Sequence, residues 1–282
     1  MAPLRHSLAE RTQEGSHAYV LVGPTATGKS SVAQHISEHH GLGILSADSM
    51  LVYQRMDIGT AKPTPAERGD VPYWGIDLVS PAERFSTGAY LRHAADAFCA
   101  TDRPLVVAGG TGLYITALIQ GLDAPGQPPS DIRDRVQGWF EEEGRDGLAS
   151  RLRALSPDRY AALEDPRNPR RLMRALEMHL AGTEIPPGWD LPATPPIVGL
   201  RMDRADLAER IRQRVEAMYA QGLLAEAERL RADWPEISMT AREAIGYAEA
   251  FAVLDGEMSQ PQAMERTAIR TRQLAKRQMT WF

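Results

Sequence analysis

The sequence predicts an α/β protein: a parallel, doubly wound sheet flanked by helices and interrupted by an inserted all-helical domain. Three observations carry this reading. A short apolar run, Tyr19–Val22, ends in a glycine-rich loop that opens a helical stretch, Lys29–His39. Further apolar runs follow, each succeeded by helical signals, and strands that alternate with helices pair in parallel. Two Pro/Gly-rich stretches, GLDAPGQPPS (121–130) and IPPGWDLPATPP (185–196), bracket a segment with helical signals only.

The elements follow in order. Residues 1–17 are polar and read as a disordered tail, without the apolar core of a signal peptide. Leu42–Ser46 reads as a second strand. Ser86 is placed to cap a helix that runs through Cys99. Pro104–Ala108 (PLVVA) has the continuous apolar character of a buried strand, broken by Gly109-Gly110 before another helix. Residues 122–195 read as the helical insertion, with Ser130 and Ser156 as N-caps and Ile132, Val136 and Phe140 on one face. Ile197–Arg201 returns to strand, and a helix starts near Ala205. Helical pattern continues to the end, closing with an amphipathic helix over about Gln260–Arg277. The core domain is thus 18–121 joined to 196–282.

Composition bounds the class. The chain has 282 residues, 43% hydrophobic and 24% charged, which excludes disordered, collagenous and disulfide-scaffold proteins. The single cysteine, Cys99, cannot form an internal bridge, so a cytoplasmic location is expected. No run reaches the length of a membrane span. The net charge of −5 does not point to nucleic acid, but the distribution of charge matters more than the total. Of the 32 basic residues only Lys29, Lys62 and Lys276 are lysines. A GC-rich codon bias accounts for the arginines.

Several motifs carry chemistry. Gly23-Pro24-Thr25-Ala26-Thr27-Gly28-Lys29-Ser30 matches G-x-x-x-x-G-K-[ST] between a strand and a helix. Such a loop curls backbone amides around a phosphate, its lysine reaches the terminal phosphate and its serine can hold Mg2+. ATP and a diphosphate ester both fit it. No apolar strand ends in the aspartate that a metal-dependent kinase would place there. Asp48 follows the second strand instead, in Ser46-Ala47-Asp48-Ser49; at a strand top it serves as a general base, a metal ligand or a turn cap. Thr111, in Gly109-Gly110-Thr111-Gly112, binds substrate or caps the next helix. Arg170, Arg171 and Arg174, with Arg167 nearby, form one basic group. Arg266, Arg270, Arg272, Lys276 and Arg277 form another. Few acids interleave with either, which favours contact with a polyanion over a solvated face. Arg210 and Arg214 stand four residues apart, placed to reach phosphates or to form surface pairs. No metal-ligand cluster of Cys and His is visible.

Taken together, GPTATGKS, DSMLVYQRMDIGTAKP (48–63), GGTGLY (109–114), RRLMRALE (170–177), IGY (245–247) and AKRQMTWF (275–282) resemble the tRNA dimethylallyltransferases. The blocks occur in the family's order, and all three lysines lie inside them. The resemblance implies a P-loop kinase-like core and transfer of a dimethylallyl group from dimethylallyl diphosphate to the exocyclic amine of an adenosine. That adenosine lies 3′ of the anticodon in tRNAs reading codons that begin with U. It further implies that Mg2+ assists, that Asp48 is the general base with Thr111 beside it, and that the phosphate loop with Lys29 and Arg210 holds a diphosphate leaving group. Asp48, Ser49, Met50, Leu51, Thr111, Arg170, Arg171, Arg174, Arg242, Gly246, Tyr247, Lys276 and Arg277 match positions that touch the tRNA anticodon stem-loop. A monomer is expected. Three rivals are a small-molecule kinase, an adenylate isopentenyltransferase acting on free nucleotide, and a non-catalytic RNA-binding module.

Overall fold

The computed structural model describes residues 18–120, 128–163, 165–182 and 197–282. The tail 1–17, the stretch 185–196 and most of 121–130 lie outside the described residues. The chain divides into two compact units, Met1–Leu122 with Asp190–Phe282, and Asp123–Trp189.

The larger unit is built on a sheet. Its strands are β1 (Ala18–Val22), β2 (Gly43–Ala47), β3 (Tyr73–Trp74), β4 (Leu105–Gly109) and β5 (Ile197–Gly199), in the order β3-β2-β4-β1-β5. All pairs are parallel, as continuous apolar strands between helices require. Alternate residues of each strand face opposite layers. Val20, Leu45 and Val107 pack with Tyr90, Ala94 and Phe98 of α3 (Thr87–Ala100) and with Ile115 and Leu118 of α4 (Gly112–Gln120). Leu21, Ile44 and Val106 face the other way, onto Ala33 of α1 (Lys29–His40). Between β2 and β3 lies the short α2 (Pro65–Arg68).

Register places the site. Val22 and Ala47 both stand opposite Gly109. The loops after β1, β2 and β4 therefore leave the sheet at one rim, where parallel α/β sheets hold ligands. The edge strand β3 has no counterpart in the sequence reading. Two residues, Tyr73 and Trp74, give no period to detect. Ser86 caps α3 as expected, accepting the Ala89 N–H at 3.1 Å.

After β5 come α8 (Arg204–Ala220), α9 (Leu223–Asp233), α10 (Met239–Arg242), α11 (Tyr247–Leu254) and α12 (Gln260–Trp281). They share a second core with the segment after β2: Val52, Tyr53 and Met56 are buried with Ile211, Val215, Tyr219, Leu223 and Tyr247. This packing brings the last third of the chain onto the loop that follows Asp48.

The smaller unit is helical: α5 (Ser130–Leu155), α6 (Pro157–Ala161) and α7 (Pro169–Leu180). Val136, Leu148 and Leu152 of α5 bury against Leu172 and Leu176 of α7. Gly144 breaks α5, with φ at 65°. Ser130 is the first helical residue rather than the cap. Pro129 takes the N-cap position, and no side-chain bond caps the helix there. Asn168 caps α7, accepting the Arg170 N–H at 3.0 Å. Arg170 and Arg171 are exposed, while Arg174 is half-buried beside Glu177 at 3.5 Å. Arg167 pairs with Asp165 at 3.5 Å.

Candidate active site

The phosphate loop, 23–30, joins β1 to α1. Gly28 stands at the helix N-cap with φ at 90° and no side-chain cap, so the first turn of α1 presents its amides to the rim. An uncapped helix start of this kind attracts a phosphate. Thr27 is buried and donates its hydroxyl to the Pro24 carbonyl at 2.8 Å, closing the curl. Ala26 holds φ at 66°, a left-handed conformation that costs an alanine about 1 kcal/mol. Lys29 folds back over the loop, its Nζ 2.7 Å from the Pro24 carbonyl. Burial lowers its pKa from 10.5 to about 8, partly offset by Asp48 and reinforced by Arg214. Ser30 is exposed at the start of α1.

Asp48 lies just past the top of β2. Its Oδ1 accepts the Met50 N–H at 2.8 Å, which fixes the carboxyl at the turn. The turn-cap reading and the functional reading thus coexist: one oxygen holds the turn and the carboxylate's field reaches both Lys29 and Arg214. Beneath it, Tyr90 and Tyr114 stack with centroids 4.0 Å apart. Burial, then a neighbouring phenol (Tyr114 for Tyr90, Tyr53 for Tyr114) and then the Asp48 charge push both phenols well above their ordinary range.

Thr111 joins the same rim. Its N–H donates to the Ala47 carbonyl at 3.1 Å, and its Oγ1 accepts the Ser49 N–H at 3.0 Å. It therefore ties the β4 end to the residue after Asp48 and leaves the α4 start uncapped by its hydroxyl. Ser49 and Met50 are half-exposed there, while Leu51 is buried at 8%.

Arg214 of α8 turns to the phosphate loop, and among the described residues no acid pairs with it. It is partly buried and donates to Thr25 Oγ1 at 3.3 Å and to the Thr60 carbonyl at 3.1 Å. Burial lowers its pKa against the pull of Asp48. Arg210, one turn earlier, is exposed, and its Nη1 lies 4.0 Å from where a Cβ on Gly28 would stand. Both guanidinium groups thus flank the phosphate loop.

The segment 57–62 is braced from several sides. Glu226, 5% exposed, accepts the Ile58 N–H at 3.0 Å with each of its oxygens. Tyr247 is fully buried: its hydroxyl donates to Glu226 at 2.5 Å and accepts the Gly59 N–H at 3.2 Å. Burial, then the Glu226 carboxylate, drive its phenol far above the ordinary range. Tyr247 is therefore a brace beneath this segment, not a surface offered to RNA, and Gly246 is buried with it. Lys62 has a role the sequence left undecided. Its side chain is 4% exposed, and its ammonium meets Asp57 at 2.7 Å, Asp77 at 2.6 Å and the Tyr53 carbonyl at 2.7 Å.

The basic residues of the last helix divide. Arg270 donates to Glu249, 1% exposed, at 2.6 Å and to the Glu243 carbonyl at 2.8 Å. Arg266 lies 3.7 Å from the same carboxylate. Arg270 thus holds α11, while Arg266, 62% exposed, leans on the same carboxylate; this shared acid comes from a neighbouring helix, where interleaving along α12 cannot show it. Arg242, Lys276 and Arg277 are exposed. No helix among the described residues is long and apolar enough to cross a membrane, and no group of three His, Cys, Asp or Glu forms a metal cage there.

Asp48, Thr111 and the partly buried Arg214 thus meet the phosphate loop at one rim of the sheet. The profile of one family, IPP transferase, matches residues 51–282. The chain belongs to the IPP transferase family. A second profile, Isopentenyl transferase, matches residues 16–71, the phosphate loop and Asp48 included. Among curated relatives of the IPP transferases, the tRNA dimethylallyltransferase of Deinococcus radiodurans is 38% identical over 93% of this chain and 88% of its own length. That of Methylococcus capsulatus is 41% identical, again over 93% and 88%. The crystal structure of a tRNA isopentenylpyrophosphate transferase from Bacillus halodurans superposes with a TM-score of 0.67 at 33% identity, covering 95% of this chain and 86% of that one. A eukaryotic dimethylallyltransferase acting on tRNA shares the fold, with a TM-score of 0.77 at 23% identity over 94% and 70%.

Proposed function

We propose that this chain transfers the dimethylallyl group of dimethylallyl diphosphate to the exocyclic amine of the adenosine 3′ of the anticodon, in tRNAs reading codons that begin with U. Family membership supports the reaction class. The observation that carries the mechanism is that Asp48 follows β2 at the rim where the phosphate loop leaves β1, with Lys29 folded over that loop and Arg214 bonded to its Thr25; the carboxylate's charge acts on both cations.

The chemistry needs both signs of charge. An adenine amine is a weak nucleophile, because its lone pair is delocalised into the ring. A carboxylate that takes its proton as the C–N bond forms contributes about 10²–10⁴-fold. Asp48 is the group we assign to that role. The C–O bond to diphosphate breaks with both electrons leaving on the phosphate oxygen. Lys29, the amides of the uncapped α1 start, Arg214 and Arg210 meet that charge with dipoles already oriented.

Mg2+ fits this site as an ion carried on the diphosphate. A small hard cation takes oxygen ligands and keeps several waters, so it needs few protein donors. The exposed Ser30 hydroxyl at the start of α1 is such a donor. The ion would supply further neutralisation of the leaving group.

The acceptor is read as RNA rather than free nucleotide because of the helical unit. It exposes Arg170 and Arg171 on α7, next to Arg174. Such arginines bind backbone and set register, while the target base is splayed from its stack to reach Asp48. Arg242, Lys276 and Arg277 are the matching cations of the larger unit. A monomer in the cytoplasm completes the proposal, consistent with the lone Cys99. The discriminating experiment offers the protein dimethylallyl diphosphate with one of two acceptors, an unmodified anticodon stem-loop or adenosine monophosphate, and in a third arm measures ATP turnover alone. Product on the stem-loop alone is expected. Product on the mononucleotide, or ATP turnover without prenylation, would overturn the assignment.

A further inference from the structure

Near the end of α12 a side chain points inward that the mechanism above does not use. Gln278 is 8% exposed in a stretch whose neighbours Lys276, Arg277 and Met279 face solvent. Both ends of its amide are engaged. Its Oε1 accepts the Thr25 N–H at 2.8 Å, and its Nε2 donates to the Gly110 carbonyl at 2.9 Å. Thr25 belongs to the phosphate loop. Gly110 precedes Thr111, whose hydroxyl is bonded to the residue after Asp48. One planar amide therefore bridges the loop that receives the donor and the loop beside the base. Close packing shows the fit to be specific: a Cβ on Gly110 would lie 2.2 Å from Nε2.

We propose that Gln278 is a positioning residue that sets the separation of donor and acceptor. The bridge has three consequences. It holds the Thr25 amide away from the phosphate and leaves the α1 start to receive it. It spans two loops that the sheet alone joins only through β1 and β4. It also satisfies the buried Gly110 carbonyl and the partly buried Thr25 N–H with one side chain, which a smaller or apolar residue would leave unpaired. In-line transfer needs the amine nitrogen close to the allylic carbon, and a displacement of about 1 Å costs on the order of a hundredfold. With the loops released, the donor still binds and its C–O bond still breaks, but water competes with the adenine amine. The electron pair leaves on diphosphate as before, and the water oxygen bonds to the allylic carbon and sheds a proton, giving dimethylallyl alcohol.

This inference rests on the proposed transfer reaction, and its test separates the two. Unmodified enzyme is assayed first with labelled dimethylallyl diphosphate and anticodon stem-loop; no prenylated adenosine there would defeat the reaction assignment itself. Given product, Gln278→Leu, Gln278→Glu and Gly110→Ala are compared. Gly110→Ala drives the amide out without touching position 278. Each should lower kcat by about ten- to a hundredfold, with KM for the stem-loop within about twofold. The ratio of alcohol to prenylated adenosine should rise in all three. The double variant Gly110→Ala/Gln278→Leu should be little worse than either single one, because both remove one bridge. Gln278→Glu keeps the acceptor for Thr25 and serves if Gln278→Leu does not fold. An unchanged product ratio with kcat within twofold would overturn the proposal. So would additive losses in the double variant, or parallel loss of kcat and both KM values with a fallen melting temperature.

Discussion

The ammonium of Lys29 sits in the phosphate loop at a cost. Burial lowers its pKa from 10.5 to about 8, which corresponds to about 3 kcal/mol against the charged form before donor arrives. For a depressed lysine the penalty is fully present below the folded value and is relieved as pH rises toward the unfolded one. A bound diphosphate reverses the balance, because it needs the ammonium. Donor affinity should therefore be flat up to about pH 8 and then fall tenfold per unit. Between pH 7 and 9.5 the loss is about thirtyfold. The assay is calorimetric titration of dimethylallyl diphosphate, whose own phosphates stay ionised across that window, with proton uptake read from buffers of different ionisation heat. Lys29→Arg keeps its charge throughout and should show no break. It should also lose roughly 3 kcal/mol of transition-state stabilisation, since a planar fork cannot occupy the space over the Pro24 carbonyl. A flat profile in the unmodified enzyme, or the same break in Lys29→Arg, would refute the argument.

Other expectations follow from the same structure. Replacing Arg170, Arg171 and Arg174 together by Ala should weaken stem-loop binding and flatten its salt dependence, with donor affinity unchanged; an unchanged salt slope would make them a solvated face. Lys276→Arg should be nearly silent in steady-state prenylation, because an exposed cation meets RNA backbone equally well as a guanidinium. Loss of more than about tenfold would give Lys276 a specific role. Lys62→Met should destabilise the protein by about 2 kcal/mol in denaturant unfolding, as it strips Asp57, Asp77 and the Tyr53 carbonyl of their shared partner. A change under about 0.5 kcal/mol would mean that solvent replaces the ammonium.

Four of the five strands were legible because they are apolar runs between glycine-punctuated loops; the two-residue edge strand β3 was not. The phosphate loop, Asp48 and Thr111 were legible as strand-top residues, since parallel register brings such tops together. What escaped depends on how the chain folds back on itself. Lys62 meets Asp57 of its own segment and Asp77 of a later loop, so its neighbours Ala61 and Pro63 say nothing about it. Arg266 and Arg270 read as unpaired along α12, and Glu249 reaches them from α11. Tyr247 sits in a motif that resembles an RNA-touching segment, yet Glu226 and Gly59 take its hydroxyl into the core. Arg210 and Arg214 differ by one helical turn, and only the packing of α8 against 57–62 decides which is buried.

The central claim is that Asp48 takes the proton of an RNA adenine while the phosphate loop receives the leaving diphosphate. Its most direct measurement is single-turnover transfer from labelled dimethylallyl diphosphate to an unmodified anticodon stem-loop, followed by digestion to nucleosides, for the unmodified enzyme and Asp48→Ala. The account predicts label in one adenosine, 3′ of the anticodon, and a rate about 10²–10⁴-fold lower in Asp48→Ala with stem-loop affinity nearly unchanged. Label in no nucleoside, or an Asp48→Ala rate within a few-fold of the unmodified enzyme, would contradict it.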